Sequence, residues 1–150
     1  MVKRKIIDDF LSSKKLAVVG VSRSGKKFGN TVFNELKSRG FKVFAVNSNT
    51  KKINEEECYS NLNMLPEKVD GVVLVIPSYE TERVVRDALI AGIKNIWMQK
   101  GSESKEAINF CSANGMNVVY GECILMFTEP IRSIHRFHKI INKFFGKLPN

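Results

Sequence analysis

The chain has 150 residues, of which 43% are hydrophobic and 26% charged. This is the composition of one globular domain with room for a sizeable core, and it excludes a disordered chain. The net charge of +9, from 24 basic and 15 acidic residues, points to an anionic partner: nucleic acid, a membrane surface or a phosphorylated small molecule.

No apolar run approaches the roughly 18 residues that span a bilayer, so no transmembrane segment is expected. The N-terminal stretch "MVKRKIIDDFLSS" lacks the long apolar core of a secretory signal. Cys58, Cys111 and Cys123 are odd in number and show no paired spacing. That favours reduced thiols in the cytoplasm over a disulfide framework.

In chain order, residues 5–13 read as a short amphipathic helix and residues 15–21 as an apolar strand. A glycine-rich turn, "GVSRSGKKFGN" (20–30), leads into a helix over 31–38 that stops at Gly40. A second strand covers 41–47. The following "SNTKKINEEECYSNLNMLPEKV" is polar and loop-like, with a brief strand near Tyr59 and a turn at 62–66. "GVVLVIP" (71–77) is a β-branched run closed by proline, as in a central parallel strand. A helix over 80–92, a strand with its exit loop over 94–101, a helix over 103–115 and a strand over 116–123 follow. A basic amphipathic helix runs from 129 to about 146. This alternation predicts one three-layer α/β domain, residues 1–150, with a core at about 14–123. Its sheet should be mostly parallel, with about five strands.

Ligands of such sheets bind beyond the carboxyl ends of the strands. Five segments should converge there: 20–30, 47–50, 77–81, 99–102 and 121–124. A glycine turn between strand and helix is where a dinucleotide's phosphates sit. Gly20 allows the bend, Gly25 or Gly29 lets backbone approach a pyrophosphate, and Ser22 adds a hydroxyl where the central glycine of G-x-G-x-x-G would stand. Arg23, Lys26 and Lys27 are placed to pair with further phosphates. The second strand ends in Asn47, not in the acid that holds the ribose of NAD. That argues against NAD and leaves NADP or coenzyme A, each with an extra phosphate on its adenosine ribose.

Catalytic groups are scarce. The two histidines, His135 and His138, lie on the final helix, and zinc-ligand spacing is absent, so no metal is expected. No Ser–His–Asp or Cys–His arrangement is legible. Cys123 reads as an inert buried thiol in preference to a nucleophile. On the final helix an apolar stripe including Ile134, Phe137, Ile141 and Phe144 is interspersed with Arg136, Lys139 and Lys143. It packs on the domain or on a second copy, as a homodimer, in preference to a membrane surface. The tail lacks aromatic interleaving and no helix-turn-helix is visible, so nucleic acid is not favoured.

Together the pieces "AVVGVSRSGKKFGN", "GFKVFAVN", "CYSNLNMLPEKVDGVVLVIP", "AGIKNIWMQKG" and "NGMNVVYGEC" resemble the small single-domain CoA-binding proteins. These share the fold of the CoA-binding domain of succinyl-CoA synthetase. The resemblance implies a Rossmann-like fold with CoA at the strands' carboxyl ends. It implies that Gly20, Val21 and Ser22 contact the pyrophosphate, with Arg23, Lys26 and Lys27 near phosphates and Gly29 and Asn30 at the helix start. Asn47, Ser48, Ile76, Pro77 and Ser78 would border the adenosine portion, with Gln99 and Gly101 further along. Two departures stand out: Ser48 replaces the family's usual proline, and "GEC" replaces its frequent "DRC". The expectation is a cytoplasmic protein that binds CoA or an acyl-CoA without catalysis of its own. The alternatives are an NADP-dependent reductase and a ligand-sensing interaction module.

Overall fold

The computed structural model describes residues 4–53 and 55–128. In chain order they form α1 (Arg4–Leu11), β1 (Lys15–Val19), α2 (Phe28–Ser38), β2 (Lys42–Val46), β3 (Lys52–Ile53) and β4 (Glu56–Tyr59). After a 3-10 turn (Leu62–Met64) come β5 (Gly71–Leu74), α3 (Ser78–Ile90), β6 (Asn95–Gln99), α4 (Lys105–Ala113), β7 (Asn117–Glu122) and α5 (Leu125–Thr128). The helix expected over 129–146, its histidines and the dimer contact assigned to it lie outside the described residues.

The strands form one seven-stranded sheet in the order β3-β4-β2-β1-β5-β6-β7. All neighbours pair in parallel except the β3–β4 hairpin. The strand count exceeds the expected five because the loop-like stretch supplies β3 as well as β4, the brief strand expected near Tyr59. Their alternation is short and acidic, and only Ile53 and Cys58 point inward. Without a longer apolar run, periodicity had little to register there.

The central strands are apolar throughout because both faces are covered. In β1, Leu16 and Val18 face α1, α2 and α5, in a core with Phe10, Val32, Leu36 and Leu125. Ala17 faces the other way, in a core with Val84, Val85 and Ala88 of α3 and Ala107 and Cys111 of α4. The result is three layers, as a Rossmann-like fold requires. Trp97 of β6 is fully buried on the first face. Its ring lies 5.3 Å from that of Phe10 and 5.8 Å from that of Phe127, and its Nε1 donates to the Glu122 carbonyl at 3.0 Å.

Two boundaries differ from expectation in ways that shape the site. β5 leaves the ladder after Leu74, although Val75 N still donates to the Val19 carbonyl at 2.9 Å. Helix α2 begins at Phe28, three residues before the expected start. Gly29 and Asn30 are poor helix formers, but tertiary contacts hold both in the first turn.

Candidate functional site

Strand order reverses between β1, whose next strand in the chain lies on one side, and β5, whose next lies on the other. The connections therefore leave in opposite directions and open a crevice at the carboxyl ends. A cavity of about 630 Å³ occupies it, bounded by the ends of β1, β2, β5 and β6, the residues after β4, the start of α2 and one face of α3.

The glycine turn forms one wall. Gly20 has φ +118°, and a Cβ there would lie 2.0 Å from the Val75 carbonyl oxygen. Gly29 is also required for contact: its Cβ would lie 2.2 Å from the Gly20 carbonyl oxygen. So Gly29 serves close packing of α2 against the end of β1, in place of the expected approach of backbone to ligand. Asn30 is buried, and its amide grips Ser22 twice. Its Oδ1 accepts from Ser22 N at 2.9 Å, and its Nδ2 donates to Ser22 O at 2.8 Å. The Ser22 and Ser24 hydroxyls lie 3.0 Å apart. The Lys27 cap of α2 makes no side-chain cap bond, and the first turn holds no acid. The positive end of the helix dipole therefore lies where Lys27, Phe28 and Gly29 line the cavity.

Of the residues singled out from sequence, Gly20, Val21, Ser22, Lys27, Gly29, Asn47, Ser48, Ile76, Pro77 and Gly101 line this cavity. Arg23 and Lys26 are exposed residues of the turn that lie off the cavity wall, as does Ser78 at the start of α3. Asn47 lines the crevice, but its amide is committed to the fold. Nδ2 donates to the Val21 carbonyl at 2.6 Å, and Oδ1 accepts from Asn49 N at 2.7 Å. It ties the end of β2 to the glycine turn.

Gln99 is not part of the crevice. It is 1% exposed, its Oε1 accepts from Ile124 N at 3.0 Å and its Nε2 donates to Cys123 Sγ at 2.8 Å. A polar residue at a strand end was legible; the inward direction of its side chain was not. Burial raises the pKa of Cys123, only partly opposed by the Gln99 hydrogen bond. At neutral pH the group is a thiol.

Lys100, Ser102 and Glu80 line the cavity from within the expected segments 99–102 and 77–81, whereas Ser60, Asn61 and Leu62, which follow β4, belong to none of the expected segments. Ser102 joins the two strand exits: its Oγ accepts from Ile76 N at 3.0 Å, and its carbonyl accepts from Thr81 Oγ1 at 2.5 Å. Glu80, Arg83, Val84 and Asp87 lie on one face of α3. Their spacing of three, four and seven from Glu80 is a helical stripe that could have been projected from Pro77. Arg83 lies 3.6 Å from Glu80 and 3.8 Å from Asp87, beyond hydrogen-bond reach of either.

The crevice thus offers amides, hydroxyls and three cations to an anionic ligand, and apolar walls at Val46, Leu62, Ile76 and Val84 to a flat ring. Among the described residues no group of three or more His, Cys, Asp or Glu is placed to hold a metal ion. None of their helices is long and apolar enough to cross a membrane.

The profile of the CoA binding domain family matches residues 14–129. Among curated proteins, the alpha subunit of acetate–CoA ligase (ADP-forming) II from Pyrococcus furiosus is 25% identical over 130 residues, 79% of this chain and 28% of that protein. Acetate–CoA ligase (ADP-forming) II of Archaeoglobus fulgidus is 32% identical over 100 residues, 65% of this chain and 15% of that protein. The chain therefore spans less than a third of the length of these relatives. Among solved structures, a conserved hypothetical protein from Pyrococcus furiosus superposes with a TM-score of 0.72 at 37% identity, covering 76% of this chain and 98% of that one. The dinucleotide forming acetyl-coenzyme A synthetase 1 of Ca. Korarchaeum cryptofilum, in complex with phosphate and ADP, gives 0.63 at 28% identity, covering 71% of this chain and 25% of that one.

Proposed function

We propose that this chain, which belongs to the CoA-binding domain family, binds coenzyme A or an acyl-CoA in the crevice and catalyses no reaction by itself. The observation that carries the reading is the glycine turn closing on the start of α2, whose first turn holds no acid, with Lys27 beside it. A pyrophosphate placed there receives backbone amides and the helix dipole together. The apolar walls suit the adenine ring. Asn47 stands where an NAD site needs an acid, and its amide is already spent on Val21 and Asn49.

The absence of catalysis is supported by the character of the walls. Among the described residues the cavity lining contains no histidine and no cysteine, and Cys123 is a buried thiol held by Gln99. Ligation in the longer relatives belongs to proteins several times this length. The three cysteines are unpaired, in keeping with a place in the reducing cytoplasm.

Titration calorimetry of the full chain tests the reading. CoA should bind more tightly than NADP and NAD, and acetyl-CoA and NADPH should persist unchanged on incubation with the protein. Tighter binding of NADP than of CoA would turn the assignment to a reductase. Turnover of acetyl-CoA that vanishes in Cys123→Ser would end the claim of no catalysis.

A further inference from the structure

We propose that the outer face of α3 is the interface of a homodimer, in which a second copy of this chain lays its own α3 antiparallel against it. This surface differs from the final-helix contact expected from sequence.

Thr81, Val84, Val85 and Ala88 form the buried side of α3. The opposite side carries Tyr79, Arg83, Arg86 and Ile90, all exposed. Their spacing of four, three and four sets them in one stripe along the helix. Tyr79 is 85% and Ile90 75% exposed. Exposed apolar residues scattered singly are ordinary. Two of them at the ends of one stripe, with two arginines between, have the composition of an interface centre, where aromatic residues and arginine are enriched.

The stripe is complementary to itself. Consider a two-fold axis that crosses it level with Val84 and Val85, at right angles to the helix. It brings Tyr79 level with Ile90 of the partner subunit, and Ile90 level with the partner's Tyr79. The charges fit the same axis. At 3.6 residues per turn, Asp87 flanks the stripe on the side of Arg83, and Glu82 on the side of Arg86. The axis keeps each flank on its own side. Arg83 therefore meets the partner's Asp87, and Arg86 the partner's Glu82, each offset along the helix by ~1.5 Å, one residue's rise. The arginines that come level across the axis fall on opposite flanks. Antiparallel pairing also sets the positive end of each helix dipole beside the negative end of the other.

Within one copy Arg83 lies 3.6 Å from Glu80 and 3.8 Å from Asp87, short of hydrogen-bond contact with either. Arg83 and Asp87 also line the crevice. Both crevices of the pair thus open on the same side of the interface, and the partner's Asp87 fixes Arg83 at the crevice wall.

Disulfide trapping of the full chain tests the arrangement. The three native cysteines are buried. In Tyr79→Cys/Ile90→Cys the two new thiols of one helix stand ~16 Å apart, too far to join. Across the axis, helices packed about 9 Å apart bring the facing Cα atoms to about 5 Å, within disulfide range. With oxidised glutathione as oxidant, the double variant should run as a covalent dimer on a non-reducing gel. Either single variant should stay a monomer, because its thiol lies ~16 Å along the axis from its counterpart. By sedimentation the wild type should be a dimer. Ile90→Asp should weaken it by about a hundredfold, tenfold for each copy of the residue. Arg86→Glu should weaken it too, and Glu82→Arg/Arg86→Glu should restore it. A wild type that sediments as a monomer overturns the proposal. So does a double variant that is not trapped, a single variant that is, or an Ile90→Asp protein that dimerises like the wild type.

Discussion

Replacing Gly29 by alanine sets helix propensity against packing, and the structure decides between them. Gly29 lies in the first turn of an 11-residue helix, where alanine is favoured over glycine by about 1 kcal/mol on propensity alone. Yet the added Cβ would stand 2.2 Å from the carbonyl oxygen and 2.7 Å from the carbonyl carbon of Gly20. Both are backbone atoms, and Gly20 is itself held against Val75, so no side chain can swing away. Overpacking of this kind costs about 3 kcal/mol or more when backbone must shift. The difference leaves Gly29→Ala destabilised by about 2 kcal/mol, a fall in Tm of roughly 4–8 °C for a chain of this size. Urea unfolding measures it, with Asn34→Ala on the exposed face of the same helix as the control. That control should be neutral or slightly stabilising. A Gly29→Ala protein as stable as the wild type would refute the argument that this glycine is there for the contact between α2 and the end of β1.

Glu35 and Arg39 form an ion pair at 3.1 Å whose side chains are only 5% and 6% exposed. Removing one partner leaves a buried charge, so Arg39→Met should cost about 3 kcal/mol in urea unfolding, and Glu35→Leu/Arg39→Met should regain much of it. A single variant no worse than loss of an exposed pair would contradict this. At the amino-terminal end of the sheet, the Asp70 carboxylate accepts from Lys15 N and Lys14 N, each at 3.0 Å, and these bonds lower its pKa. A depressed carboxylate pKa contributes stability above the unfolded value of about 4, and that contribution is lost as pH falls through the folded value. Asp70→Asn should therefore flatten the acid limb of stability between about pH 5 and pH 2; acid limbs parallel to the wild type's would show that Asp70 does not carry it.

The central strands and the three layers were legible because burial on both faces writes itself as continuous apolar runs. The glycine turn was legible for a similar reason: its glycines stand at a strand–turn–helix junction. What was not legible depended on side-chain direction. Gln99 and Arg23 sit beside the crevice in sequence, yet one turns into the core and the other away from the cavity wall. Asn30 looked like a ligand contact and is an internal clamp on Ser22. Val84 and Asp87 reach the crevice through a helical face two turns from the strand end, and Ser60 through a short strand that periodicity alone does not distinguish from a loop.

Trp97 orders events in time. Its indole meets Phe10 and Phe127, which belong to the first and last described helices. Bringing those rings together closes nearly the whole described chain, and the entropy of that closure is lost before the contact returns anything. The β1–β2 pairing spans far less sequence. Fluorescence of the one tryptophan in the chain should therefore change later in refolding than backbone circular dichroism, and coincident stopped-flow traces would count against this order.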